Sequence, residues 1–280
     1  MMAGAPRAPR AEELHGWLRR ALEDSDVANP GVVRSAAAVV HDLETGSTAQ
    51  WHAGDDIYPA SVIKVPIMVE VFGRYAAGTL APDAVVPIEE HNMTATSGPA
   101  PLVPGYRATV QELVDLMVAH SDNVATNQLI DVVRRERVTA TMRALGLQTF
   151  LLGRKLSGSE PLINDPEEVG RNRLPPAEIA RLLELIARGA VAGSERQQRI
   201  LATCVDSEKL AAGLDEGDVF MHKTGETSQV SHDAGILVTR EGRRYVVVLY
   251  CQVIPTADQA DATHANPFMV HWMRLMRRHL

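Results

Sequence analysis

The chain has 280 residues, of which 45% are hydrophobic and 22% are charged, and its formal net charge is −7. This length and composition are typical of a globular protein with a sizeable core, arranged as one large domain or two smaller ones. The negative charge argues against a nucleic-acid-binding surface and against a basic patch for membrane lipids.

No apolar run is long enough to span a membrane, and the first ten residues lack the apolar stretch of a secretory signal. The sequence as given therefore predicts a cytoplasmic monomer without membrane or nucleic-acid partners. A chain trimmed of its signal would look the same and would be periplasmic or secreted. Cys204 and Cys251 are too few for a disulfide scaffold, and packing is the expected role of both.

The first predicted elements are a helix and a hairpin. Residues 11–25 carry Leu and Trp side chains on one stripe, as an amphipathic helix does. Strands are predicted at 32–43 and 48–52, on either side of a turn that contains glycine. Residues 79–108 contain five prolines and are predicted to be mostly loop, which at this length is more often functional than idle.

The rest of the chain is predicted to be helical at first and then to return to strands. The polar, turn-rich segment 153–173 interrupts the helical part, and the second group of strands begins at Val219 and continues as a hairpin of 234–239 and 245–253. Helices are predicted over residues 109–120, 124–133, 175–188, 193–205 and 266–279.

Strands near both ends of the chain, with helices between them, predict an α+β (α/β/α) fold. An antiparallel sheet built from the N- and C-terminal parts would be flanked by helices, and an all-helical lobe would be inserted between those parts. We expect a single domain over residues 1–280, with a sheet lobe at about 12–58 and 215–280 and a helical lobe at about 61–212. A cleft between the lobes is the default place for a functional site.

An apolar segment at residues 59–72 carries the first chemical signal. Ser61 opens a predicted helix and Lys64 lies one turn further on, so both side chains face the same way. Burial disfavours a charged lysine, and a neutral amine can take a proton from a neighbouring hydroxyl, which would make Ser61 a nucleophile. For this motif alone, a capping serine followed by a lysine that reaches the surface is the structural alternative.

Two further motifs follow in order, Ser-Asp-Asn at 121–123 after an apolar helix and Lys-Thr-Gly at 223–225 at the end of a strand. The second serine lies 60 residues after Ser61, and the lysine lies 102 residues after the second serine. With the Ser-x-x-Lys motif at 61–64, this trio resembles the class A β-lactamase and penicillin-binding-protein-like serine hydrolase family over about residues 12–280.

The resemblance implies a β-lactamase/transpeptidase-like fold and gives the motif residues catalytic roles. Ser61 would form an acyl-enzyme, and Lys64 would accept or relay its proton. Ser121 would pass a proton to the leaving nitrogen, and Lys223 would supply positive potential across the cleft.

The same resemblance implies the substrate-binding residues. Asn123 would hydrogen-bond the substrate amide, and Thr224 would contact a substrate carboxylate. Gly225 and Glu226 belong to the same strand end, where the backbone N–H of Glu226 and that of Ser61 would form an oxyanion hole.

Deacylation requires a carboxylate that activates water. In class A β-lactamases this carboxylate lies in the loop motif E-x-x-L-N. Residues 160–164 match the motif, with Ile in place of Leu. Glu160, which lies 39 residues after Ser121 and so slightly farther than is usual in the family, would be the base, and Asn164 would help to hold the water. A polar loop often contains a glutamate, however, and Glu167 and Glu168 are close by.

Three features depart from the family pattern. Glu226 stands where a small residue is usual, and its carboxylate would repel the acid group of a penicillin. Residues 231–233 stand where many of those enzymes have an arginine that holds this acid group. His232 is a substrate-binding candidate when protonated and is otherwise a structural histidine. Finally, no secretion signal is visible.

The sequence therefore leaves three functions open. The first is a serine acyl-hydrolase that opens β-lactam amides through a Ser61 acyl-enzyme, favoured by Glu160. The second is a serine esterase, amidase or peptide acyl-transferase with a non-antibiotic substrate, favoured by Glu226 and His232. The third is an acyl-sensing module without turnover. A small-molecule acyl substrate is the expected partner, and no cofactor or metal is expected, because His and Cys lack the spacing of zinc ligands.

Overall fold

The computed structural model describes residues 10–96, 102–256 and 261–280. Its strands are β1 (Val33–Asp42), β2 (Thr48–Trp51), β3 (Val85–Pro87), β4 (Arg107–Thr109), β5 (Val219–Glu226), β6 (Val230–Val238) and β7 (Arg244–Val253). Its helices are α1 (Ala11–Ala28), α2 (Lys64–Ala76), α3 (Val110–Ala119), α4 (Asn123–Val133), α5 (Arg135–Ala144), α6 (Pro176–Ala187), α7 (Ser194–Leu201) and α8 (Asn266–Arg277).

The main sheet has the strand order β2-β1-β7-β6-β5, and each neighbouring pair is antiparallel. Strands β1 and β2 precede the helices α2 to α7 in the chain, and strands β5 to β7 follow them. The predicted α+β fold, with one antiparallel sheet supplied by both ends of the chain, is confirmed. Strand β5 lies at an open edge of the sheet, which exposes its backbone to the segment before α2.

Both faces of the sheet are covered by helices. Because successive side chains of a strand point to opposite sides of the sheet, each strand contributes residues to two cores. Along β1, Ala37 and Val39 belong to one core, whereas Ala38 and Val40 belong to the other. The first core joins the sheet to the helices α2 to α7. The second joins it to α1 and α8, where Trp272 is completely buried. The result is a helix–sheet–helix sandwich of three layers.

The structure differs from the sequence prediction in three places. Strands β3 and β4 pair between residues 85 and 109, in and just after the segment predicted to be mostly loop. At three residues each they are too short to show an alternating pattern. The prolines at 99 and 101 of that segment lie outside the described residues. Helix α5 is not predicted from the sequence, because Val138 and Met142 are its only large apolar residues. Helix α7 ends at Leu201 rather than near residue 205, since the chain turns there towards α3.

Within the described part of the chain, the helices are not long and apolar enough to cross a membrane.

Candidate active site

Ser61 lies in a short 3-10 turn, Ala60–Ile63, that leads directly into α2. Val62 and Ile63 are completely buried, whereas Ser61 lines the wall of a cleft. Ala60 has a left-handed backbone with φ of 46°. This conformation is uncommon outside glycine and costs about 1–3 kcal/mol. Packing of the surrounding core therefore fixes the position of Ser61 against the local preference of the backbone.

Lys64 begins α2, and its side chain is completely buried. Its Nζ atom lies 2.6 Å from the backbone oxygen of Ser121, 3.0 Å from the Ser121 Oγ atom and 2.8 Å from the Asn123 Oδ1 atom. Burial lowers the pKa of Lys64 well below its usual value, and the positive charge of Lys223 lowers it further, against the opposing effect of Asp122. A lysine in this environment releases its proton readily and can then accept one from a hydroxyl.

Residues 121–123 form the connection between α3 and α4. Asp122 caps α4, because its Oδ1 atom accepts a hydrogen bond from the Ala125 N–H group at 2.8 Å. Its Oδ2 atom accepts from the Thr96 hydroxyl at 3.0 Å. Ser121 has a left-handed backbone with φ of 56°. The cap and this backbone conformation together present Ser121 and Asn123 to the Lys64 amine.

The third motif lies at the end of β5, beside the nucleophile. Lys223 is completely buried, its Nζ atom donates to the Thr224 backbone oxygen at 2.9 Å, and burial lowers its pKa. Gly225 permits a close approach of the strand, since a Cβ atom there would lie 2.9 Å from the Pro59 carbonyl oxygen and 3.1 Å from the Ser61 nitrogen. The open edge of β5 thus passes next to the Ser61 backbone. Neighbouring N–H groups from two such segments suit an oxyanion that develops between them.

Two clefts meet at Ser61. The first has a volume of about 350 Å³ and is lined by residues of all three motifs and by the segment 204–209. The second has a volume of about 560 Å³ and is lined by the loop 154–162, including Glu160. Ser61, Asn123 and Glu226 line both clefts. The nucleophile is therefore accessible to the motif residues from one cleft and to the Glu160 loop from the other.

Buried polar contacts anchor the loop that carries Glu160. Arg135 donates two hydrogen bonds to the Asp165 carboxylate, at 2.7 and 2.9 Å, and both side chains are almost completely buried. The Asn127 side chain accepts from the Leu156 N–H group at 2.8 Å and donates to the Leu156 oxygen at 2.9 Å. These contacts fasten both ends of the segment 156–165 to α4 and α5, which fixes the backbone around Glu160.

Comparison with known proteins places this arrangement in a family. The sequence profile of the beta-lactamase enzyme family matches residues 19–266. The chain belongs to the beta-lactamase enzyme family. A β-lactamase of Rhodobacter capsulatus is 24% identical over 216 residues, which are 74% of this chain and 72% of that protein. Relatives of this kind imply that the chain is a hydrolase.

Solved structures of similar proteins show the same fold. A β-lactamase from Sphaerobacter thermophilus matches with a TM-score of 0.79 at 24% identity, covering 93% of this chain and 95% of that chain. A variant of PBP-A, solved as an acyl-enzyme complex with penicillin G, matches with a TM-score of 0.78 at 21% identity, covering 98% of each chain.

Most of the predicted site residues of this beta-lactamase family member lie at the two clefts. The structure brings together Ser61, Lys64, Ser121, Asn123, Lys223, Thr224, Gly225 and Glu226, and it places Glu160 on the second cleft. Asn164 is exposed and is not among the described residues that line the second cleft, so the structure does not support its predicted role in holding water. In the described ranges, His, Cys, Asp and Glu side chains do not form a group of three that could hold a metal ion.

His232 is buried and lines neither cleft, so its predicted role in binding a carboxylate is wrong. The ring is completely buried and stacks on Tyr250, with ring centroids 4.0 Å apart. Its Nε2 atom donates to the Tyr58 oxygen at 2.8 Å, and its Nδ1 atom accepts from the Cys251 N–H group at 3.2 Å. Burial lowers the pKa of His232 to about 4. The imidazole is therefore neutral at pH 7, and its function is structural.

A buried cation that the sequence analysis missed borders the first cleft. The Lys209 Nζ atom lies 3.0 Å from the Asp206 Oδ2 atom and 2.8 Å from the Glu226 Oε2 atom. Burial lowers the pKa of Lys209, but Asp206 and Glu226 more than offset this and raise it above its usual value. A single lysine between acidic residues is too common a pattern to have revealed this position.

The two cysteines have different environments. Cys251 is completely buried in the core, where burial raises the pKa of its thiol, and its predicted packing role is confirmed. Cys204 instead lines the first cleft, near Lys223. Cys204 follows α7 and is partly buried, and its packing role stays a prediction.

Proposed function

We propose that this protein is a serine acyl-hydrolase that opens β-lactam amides through an acyl-enzyme on Ser61. The observation that carries the proposal is the buried Lys64 amine. It is hydrogen-bonded to the side chains of Ser121 and Asn123, which line the same cleft as Ser61. Membership of the beta-lactamase enzyme family supports this reaction, as does the penicillin G acyl-enzyme of the similar PBP-A variant.

Acylation begins at the Ser61 hydroxyl. The neutral Lys64 amine takes the hydroxyl proton while Ser61 Oγ bonds to the carbonyl carbon of the lactam. Negative charge that develops on the carbonyl oxygen is stabilised by the N–H groups of Ser61 and Glu226. As the C–N bond breaks, the Ser121 hydroxyl, 3.0 Å from Lys64 Nζ, passes a proton to the ring nitrogen and regains one from Lys64.

Deacylation uses the second cleft. Glu160 takes a proton from a water molecule while the water oxygen bonds to the acyl carbon. As the bond between the acyl carbon and Ser61 Oγ breaks, the proton passes from Glu160 to Ser61 Oγ, which restores both residues. Two observations support Glu160 in this role: it lines the cleft that reaches Ser61, and its loop is held by the buried Arg135–Asp165 pair. A base on an anchored loop keeps its position relative to the ester bond through both steps.

Turnover of a chromogenic cephalosporin by the parent, Ser61→Ala and Glu160→Gln tests the proposal. Ser61→Ala should abolish turnover, and Glu160→Gln should slow it by about 10²–10⁴-fold, the usual contribution of a general base. Glu168→Gln is the matched control, because it removes another carboxylate of the second cleft and should leave turnover near that of the parent. A parent that forms an adduct without turnover would contradict hydrolysis and indicate a transferase or a sensor.

A second candidate is an esterase or amidase that uses the same residues on a non-antibiotic acyl donor. The Lys209–Glu226 ion pair favours it, because it places a carboxylate next to the nucleophile and occupies the nearby cation. Ser61-dependent hydrolysis of a neutral aryl ester, without opening of the cephalosporin, would favour this second function.

A further inference from the structure

We infer that Glu226 determines which acyl donors this site accepts. The first cleft selects donors with a neutral or cationic group beside the scissile bond, and it disfavours donors with a carboxylate there. The inference rests on the proposed acyl transfer to Ser61 and names the substrate class for that reaction.

The first step of the argument is the pairing of Lys209. Its buried ammonium group borders the first cleft and would attract an anionic substituent of a bound donor. It already lies between two carboxylates of the chain, at 3.0 Å from Asp206 and 2.8 Å from Glu226. A donor carboxylate that binds Lys209 must displace the carboxylate of Asp206 or of Glu226. The displaced carboxylate then lacks a cationic partner in a partly buried place, which costs free energy.

The second step is the charge balance of the first cleft. Three carboxylates, from Asp206, Glu208 and Glu226, face two ammonium groups, from Lys209 and Lys223. Burial lowers the pKa of Lys223, against the opposing effects of Cys204 and Asp206. The cleft therefore carries a net negative charge, which repels an anionic donor and attracts a cationic one.

The third step is the position of Glu226. It directly follows Gly225, whose backbone passes next to the Ser61 nitrogen, and it lines both clefts. Its side chain is 22% exposed, so solvent screens its charge only in part. Of the three acidic residues that line the first cleft, Glu226 is the one that also lines the second. Its charge therefore lies where the two clefts meet at Ser61.

The test compares two donors that differ in one group, benzylpenicillin and its methyl ester. The rate of adduct formation on Ser61 is followed by intact mass in the parent, Glu226→Gln and Glu208→Gln, with Ser61→Ala as the blank. We expect Glu226→Gln to lower the ester-to-acid rate ratio by about tenfold or more, chiefly by faster reaction of the acid. Glu208→Gln removes a carboxylate of the same cleft next to Lys209 in sequence and should change the ratio by less than about threefold.

The ratio separates selectivity from a merely structural role. If Glu226 only held the shape of the cleft, the substitution would slow both donors alike and leave the ratio unchanged, and that result would overturn the inference while the proposed function stood. If no donor gives a Ser61-dependent adduct, the proposed function fails first. The parent provides a measurement that needs no variant: its ratio should fall several-fold between about 0.02 M and 0.5 M salt, and a constant ratio would also overturn the inference.

Discussion

Replacement of Asp165 by Asn tests the anchor of the loop that carries Glu160. Arg135 Nη2 and Nη1 lie 2.7 and 2.9 Å from the two Asp165 oxygens, and the side chains are 2% and 1% exposed. Removing one partner of a buried ion pair costs about 3–5 kcal/mol. We expect a loss of roughly 3 kcal/mol, the lower end of that range. The reason is that Arg135 keeps its hydrogen bond to the Gly153 oxygen at 2.9 Å and has Glu167 3.8 Å away.

Urea denaturation of the parent and Asp165→Asn gives the loss in free energy of unfolding. The matched control is Glu23→Gln, which breaks the Arg19–Glu23 pair on the surface of α1, where the side chains are 52% and 57% exposed. An exposed pair of this kind contributes less than about 1 kcal/mol. The contrast between the two variants isolates the effect of burial.

The same variant should separate the two chemical steps. Glu160 lies on the released loop, whereas Ser61 and Lys64 lie at the start of α2. Asp165→Asn should therefore slow deacylation more than acylation, so that the acyl-enzyme accumulates during turnover of a cephalosporin. An unfolding free energy within about 1 kcal/mol of the parent would refute the reasoning, as would an equal slowing of both steps.

Three further predictions concern buried or cleft-lining groups. His232 has its pKa lowered to about 4, so its contribution to stability is complete above pH 6.5 and is lost as the pH falls towards 4. The stability difference between the parent and His232→Gln should shrink by roughly 3 kcal/mol over that range. Burial opposes protonation of His222, but Asp233, 2.8 Å away, raises its pKa to about 10. The stability difference between the parent and His222→Gln should therefore be largest below pH 6.5 and shrink as the pH rises towards 10. Urea denaturation at several pH values measures both stability differences. The same pH trend for His232→Gln and His222→Gln would contradict these assignments. A maleimide should label Cys204 but not Cys251, and labelling should block acylation of the nucleophile. Intact mass and a turnover assay check this, and an active labelled protein would contradict the placement of Cys204 in the cleft.

The sequence predicts the strands of the main sheet and the three motifs well, because both are local patterns. Apolar runs set the hairpin of β6 and β7, and the structure confirms it with antiparallel pairing. The motifs at 61–64, 121–123 and 223–225 each depend on the conformation of a few consecutive residues. Their meeting at one cleft follows from the fold and not from any one of them.

The remaining site residues could not be predicted, because their roles depend on partners far away in the chain. His232 lies in a polar stretch of β6, yet it is buried, since both faces of this sheet are covered. Lys209 and Arg135 belong to residue types that are usually exposed, so a sequence pattern would place them on the surface. Each is buried and forms an ion pair with a carboxylate that only the folded chain brings close. Lys209 pairs with Glu226, and Arg135 pairs with Asp165.

The most direct test of the account is the intact mass of Glu160→Gln after it is mixed with benzylpenicillin methyl ester, followed by peptide mapping. The account predicts one adduct per chain, with the mass of the whole penicillin because ring opening releases no fragment, on the peptide that contains Ser61. Absence of an adduct, or an adduct on another residue, would contradict the assignment of Ser61 as the nucleophile.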